Sequence, residues 1–126
     1  MKKQLQKKPK KIVFDLDGVL CTQTKGDYEN AKPINKAITL INKLHDAGHK
    51  ITIHTARFMG RCSDNPVKAK KMGYIFTKNQ LASWGIKYHK LILGKPSADL
   101  LIDDRAIFFS PDWSRIEKHI ETKLKK

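Results

Sequence analysis

A chain of 126 residues with 40% hydrophobic content has room for one domain with its own core, but not for two. It holds no apolar run long enough to span a bilayer and no basic start followed by an apolar signal segment, so a cytoplasmic protein without a membrane role is expected. The formal charge of +14 gathers at the two ends: residues 12–117 carry 16 basic and 11 acidic side chains, a net of +5. That pattern fits solvated tails that hold polyanions loosely better than a recognition groove.

Residues 1–10, MKKQLQKKPK, read as a basic arm, and residues 11–126 as a single domain. KIVFDL (11–16) is a short apolar run ending in acid, the look of a buried parallel strand whose carboxyl end faces a site. Pro33 opens a helical pattern with Ile34, Ala37, Ile38, Ile41 and Leu44 at three- and four-residue spacings, and Gly48 closes it. HKITIHT (49–55) is a second strand, followed by a loop, RFMGRCSDNP. Residues 66–76 are ambiguous, with Pro66 able to start a short helix. Thr77 with Gln80 three residues on has capping-box spacing, and a helix is expected from there to Gly85. HKLIL (89–93) is a third strand and ADLLID (98–103) a fourth. SRIEKHIETKLKK is a terminal helix with Ile116 and Ile120 facing the core.

Strands alternating with helices predict a three-layer α/β/α, Rossmann-like fold with a mainly parallel sheet. No large cap domain fits, because only residues 19–32 and 58–76 are free to build walls over a site. Cys21 and Cys62 give neither a disulfide framework nor a zinc spacing. The five histidines lack metal-binding companions and read as structural or exposed. Trp84 and Trp113 read as packing residues.

Four segments carry chemistry: FDLDGVL (14–20), ITIHTAR (51–57), GKPS (94–97) and LIDDRA (101–106). In an open parallel sheet ligands bind beyond the carboxyl ends of the strands. Asp15, Thr55 and Asp103 all fall at such ends, so one crevice is expected to receive them.

These segments, in this order, resemble the haloacid-dehalogenase superfamily of phosphohydrolases over residues 11–109. The resemblance implies a phosphatase whose nucleophile is Asp15, with Asp17 protonating the leaving oxygen and then activating water. Gly18 lets the chain turn sharply away from the strand. Thr55 would hydrogen-bond the transferring phosphoryl group, with Ala56 beside it and Arg57 placed to clamp the phosphate or its leaving group. Lys95 would neutralise Asp15 against an incoming phosphate dianion. The implied cofactor is Mg2+, held by Asp15, Asp103 and the Asp17 backbone carbonyl, with Asp104 and Arg105 behind them or bound through water. One feature departs from many members: Lys95 and Asp103 are eight residues apart, with no helix between them, which points to a compact subgroup.

DYENAKP (27–33), taken with GKPSADLLIDDRA, is similar to small capsule-biosynthesis phosphatases, which implies a sugar phosphate or related small metabolite as substrate. Tyr28 and Glu29 then stand in the first flap, where they contact a leaving group or only anchor the loop, whereas Arg61, beyond the strand-end loop, suits a nucleic-acid substrate. The phosphatase domain of polynucleotide kinases has the same style, with an IDDR-like final segment, so a nucleic-acid 3′-end phosphatase is the alternative. A non-catalytic basic module that binds an anion is a third reading. An uncapped crevice either takes a phosphate on a polymer end or is closed by a neighbouring copy, in which case a homo-oligomer selects a small ester.

Overall fold

A computed structural model describes residues 8–125; most of the expected basic arm, residues 1–7, lies outside the described residues. Strand β1 (Lys11–Phe14) leads through a flap containing a 3-10 turn at Tyr28–Asn30 into helix α1 (Asn35–Asp46). Strand β2 (Lys50–Thr55), a second 3-10 turn at Gly60–Cys62, helix α2 (Pro66–Ser83) and strand β3 (Lys90–Leu93) follow, and helix α3 (Trp113–Leu124) ends the chain. The three strands form one parallel sheet in the order β1-β2-β3, with Phe14 level with Ile53 and Ile53 level with Leu91. This is an α/β protein built on a single parallel sheet.

Parallel neighbours in sequential order, joined by right-handed crossovers, place both connecting helices on one face. The burial pattern agrees. Phe14, Ile51, Ile53, Leu91 and Leu93 are buried against the helices, whereas Lys11, Val13, Lys50, Lys90 and Ile92 on the other face are exposed. The described residues therefore make two layers, a sheet and its helices, and no third layer covers the second face.

The expected fourth strand at 98–103 is not formed. Leu100, Leu101 and Ile102 are exposed, and the segment pairs with no strand among the described residues. The physical reason is connection length. A parallel strand returns to its sheet through a crossover of about a dozen residues or more, and GKPS offers four.

Helix α1 follows the expected stripe: Ala37, Ile38, Leu40, Ile41 and Leu44 are buried, and Gly48 leaves the helix at φ +97°. Helix α2 corrects the expectation of a start at Thr77. It begins eleven residues earlier, at Pro66. Asn65 caps it, its side chain accepting from Val67 N and Lys68 N at 3.1 Å each, and proline at the first helical position needs no donor there. Thr77 is a buried residue in mid-helix. Helix α3 starts at Trp113 on an Asp112 cap and packs on α1 through Ile116 and Ile120. Leu16, Leu20, Ile41, Ile51, Ile53 and Leu81 are fully buried, each stabilising the fold by about 1.5–3 kcal/mol.

Candidate active site

Strand β1 ends at Phe14, and the next residues turn over its carboxyl end. Val19, Leu20 and Cys21 N–H groups converge on the Leu16 carbonyl, and Gly18, at φ +83°, donates to Cys21 O. A side chain at position 18 would be strained by that φ, so glycine fits the turn. The turn leaves Asp15 at its rim, with its side chain 37% exposed.

Lys95 reaches Asp15 from the far side of the sheet. Its Nζ lies 3.2 Å from Asp15 Oδ2, while Asp15 Oδ1 accepts from Leu16 N at 2.8 Å. The lysine is set there by Thr55, whose carbonyl accepts from Gly94 N and Lys95 N at 3.2 Å. The Thr55 hydroxyl accepts from Arg57 N at 3.1 Å, and the residue is buried. Three strand ends thus deliver a carboxylate, a hydroxyl-bearing residue and an ammonium to one place.

Arg57 has a different surrounding from the one expected. It is 1% exposed, with Nε and Nη2 each 2.9 Å from an oxygen of Asp17. Nη1 donates to Gln80 Oε1 at 2.6 Å, and the guanidinium lies over the Tyr28 ring at 4.6 Å. Its fork is filled by protein groups, which makes it the holder of Asp17. Gln80 completes the arrangement by donating to Tyr28 O at 2.7 Å. Cys21 donates to Asp17 Oδ1 at 3.4 Å; burial, then the nearby Asp17 charge, pushes its thiol up to about 12. It stays protonated and inert.

Tyr28 and Arg61 tie the flap to the loop after β2. Tyr28 OH accepts from Phe58 N at 3.2 Å, and its ring lies 4.9 Å from that of Phe58. Arg61 stacks over both rings and donates to Gly26 O. Ala56 O accepts from Met59 N, closing the turn that leads to them. Beside this cluster a shallow cleft is lined by Arg61, Lys68, Lys71 and Met72.

Asp103 and Asp104 are not brought to the crevice. Both are exposed, and Asp103 Oδ1 accepts from Arg105 N at 2.8 Å in a local turn. Among the described residues no three His, Cys, Asp or Glu side chains stand together so as to hold a metal ion. The crevice of one chain therefore offers Asp15 and Asp17, the latter already gripped by Arg57, and does not by itself fit the Mg2+ site that the motifs imply.

Two residues near the crevice escaped the sequence reading. His54 lies level with Ile92, one position beyond the Phe14–Ile53 pair, which sets it beside Asp15 on the open face. Partial burial, then Lys95, lowers its pKa against an opposing pull from Asp15. The alternation of β2 was the available signal. Gln80 had none beyond its distance from Thr77, which suggested a cap.

No family model and no curated protein matches the chain. The crystal structure of a target protein from Vibrio cholerae is similar to it: 30% identical, with 90% of this chain and 98% of that chain covered, at a TM-score of 0.74. At that identity over nearly the whole of both chains, the two belong to one family with one fold. No helix among the described residues is long and apolar enough to cross a membrane.

Proposed function

We propose that the protein is a phosphomonoester hydrolase of the haloacid-dehalogenase type, acting in the cytoplasm on a sugar phosphate or related small metabolite through a phosphoryl-aspartate on Asp15. The observation that carries this reading is the 3.2 Å pair between Asp15 Oδ2 and Lys95 Nζ, which meet above β2 from the ends of β1 and β3. A carboxylate attacks an anionic ester only where a cation offsets the repulsion, and Lys95 is placed to supply that charge. In the first step an Asp15 oxygen bonds to phosphorus, the bond to the leaving oxygen breaks, and Asp17 gives that oxygen a proton. In the second, water loses a proton to Asp17 and attacks phosphorus, the bond to Asp15 breaks, and phosphate leaves.

Both oxygens of Asp17 sit in the Arg57 fork, so as proton donor it must first turn out of that fork. The Mg2+ requirement implied by the motifs belongs to the same proposal. A second reading, a nucleic-acid 3′-end phosphatase, draws on the basic cleft of Arg61, Lys68 and Lys71.

Phosphate release is to be measured with and without Mg2+ on sugar phosphates, nucleotides and a 3′-phosphorylated oligonucleotide. Asp15→Asn is expected to lower turnover by a factor of roughly a thousand or more with an unchanged circular-dichroism spectrum. Near-parental turnover in that variant rules out Asp15 as the nucleophile. Preference for the oligonucleotide selects the second reading.

A further inference from the structure

The geometry points to a homodimer in which residues 98–103 of each chain form the missing fourth strand on the free edge of β1 in the other copy. Strand β1 pairs with β2 on one side only among the described residues, and an unpaired edge is a template for another strand. ADLLID has the near-continuous apolar character of a parallel strand buried on both faces, yet Leu100 is 78% and Ile102 95% exposed.

A parallel register that sets Asp103 level with Asp15 sets Asp99 level with Lys11, an opposite-charge pair across strands. The same register sends Leu100 and Ile102 to the helix-covered face with Ile12 and Phe14, and Leu101 to the open face beside Val13. Charge and alternation agree at every position.

The strand cannot come from its own chain. Lys95 is fixed over β2 by its hydrogen bond to Thr55 O and its ion pair with Asp15. From there to the level of Lys11 on the outer side of β1 is two strand spacings across and five residues down, about 19 Å. Four residues, Pro96 to Asp99, extend to about 14 Å at most. The second copy has no such limit, and a two-fold axis makes the exchange reciprocal. Val13, Leu100, Leu101, Ile102 and Phe108, 60–95% exposed, put apolar surface on the order of 800 Å² in water, comparable to the contribution of one partner to a standard stable interface.

The exchange would bring Asp103 of one copy beside Asp15 of the other, supplying the carboxylate that a single chain lacks; this part rests on the phosphatase reading. Pairing at the same level on the outer edge of β3 would instead leave Asp103 beside Ile92, with two strands between it and β1.

Three experiments on the full chain test the pairing. Sedimentation is expected to show a dimer, and Ile102→Asp, at a site exposed in the single chain, is expected to yield a folded monomer. Lys11→Cys with Asp99→Cys is expected to cross-link on oxidation into a covalent dimer; a monomer-sized cross-link, or none, overturns the pairing whatever the protein's activity. Mixing Asp15→Asn with Asp103→Asn, each inactive alone, is expected to restore about a quarter of parental turnover after subunit exchange, since half the sites in a mixed dimer are intact. No recovery between the two variants, when the cysteine variant has cross-linked and the parent turns over, leaves the strand exchange standing and overturns the shared active site alone. Absence of turnover in the parent overturns the phosphatase reading and leaves the cross-link to decide the dimer.

Discussion

Arg57 has its charge buried almost completely and shares it with one carboxylate, one amide and one aromatic face. A buried ion pair adds little net stability as a pair, but removing one partner strands the other, at a cost of about 3–5 kcal/mol. Arg57→Ala is therefore expected to lower unfolding free energy by roughly that amount in urea titration, with Asp17 left in a half-closed pocket. Arg57→Lys is expected to recover only part of it, because an ammonium cannot hold two carboxylate oxygens and Gln80 in one plane. A loss below about 1 kcal/mol for Arg57→Ala would show that Asp17 finds water readily. The motif reading placed Arg57 in the right segment, two residues beyond Thr55. What its side chain touches was not legible, since Gln80 and Asp17 lie 23 and 40 residues from Arg57 in the chain.

Helix α2 shows how packing overrides local signals. Gly73 sits in its middle, where glycine ordinarily costs up to about 1 kcal/mol relative to alanine. A Cβ there would stand 2.1 Å from the Phe58 ring, so the missing side chain is the socket for that ring. Phe58 in turn holds a left-handed φ of +68° and carries the Tyr28 and Arg61 contacts. Gly73→Ala is thus expected to destabilise by about 1–3 kcal/mol rather than stabilise, read as a fall in the urea midpoint. A rise would mean that the ring shifts freely. The same helix explains why Thr77 and Gln80 misled: capping-box spacing is a local pattern, and Asn65 with Pro66 made a better start. Elements with strong periodicity, α1 and the three strands, were legible. The segment 98–103 had the composition of a strand, but a strand also needs a reachable neighbour.

Across the whole molecule, histidines join strands that are far apart in sequence. His49 Nδ1 accepts from Lys10 N and His89 Nδ1 from Ile51 N, both at 3.1 Å. Each acceptor is lost when that nitrogen is protonated. Desolvation first, then nearby positive charge, lowers the pKa of His49, His54 and His89 below the ordinary 6.5. The unfolded chain then binds more protons than the native one just below pH 6.5, so stability rises with pH through that window. The contribution is complete above about 6.5 and is lost as pH falls through the lower native values. Asp46 and Asp112, lowered from 3.8 by Lys87 and by Ser114 respectively, give a separate loss only below that value. Urea midpoints are expected to fall between pH 7.5 and 5.0, then again below pH 4. His89→Asn, which keeps an acceptor without titrating in this range, is expected to flatten the first step; an unchanged first step would place its origin elsewhere.

By itself the sequence wrongly sent Asp103 to the strand-end crevice, but it determined the parallel strands, the α1 stripe and the meeting of Asp15 with Lys95. It could do so because strand alternation, apolar runs and short turns act over a few residues, and a parallel sheet sends every strand end to the same side. Only the tertiary structure decided which partners fill the Arg57 fork, where α2 begins, why Gly73 must lack a side chain, and that residues 98–103 find no strand to pair with in their own chain. Those outcomes depend on distances between residues tens of positions apart. In the last case they also depend on the finite reach of the four residues that follow Lys95.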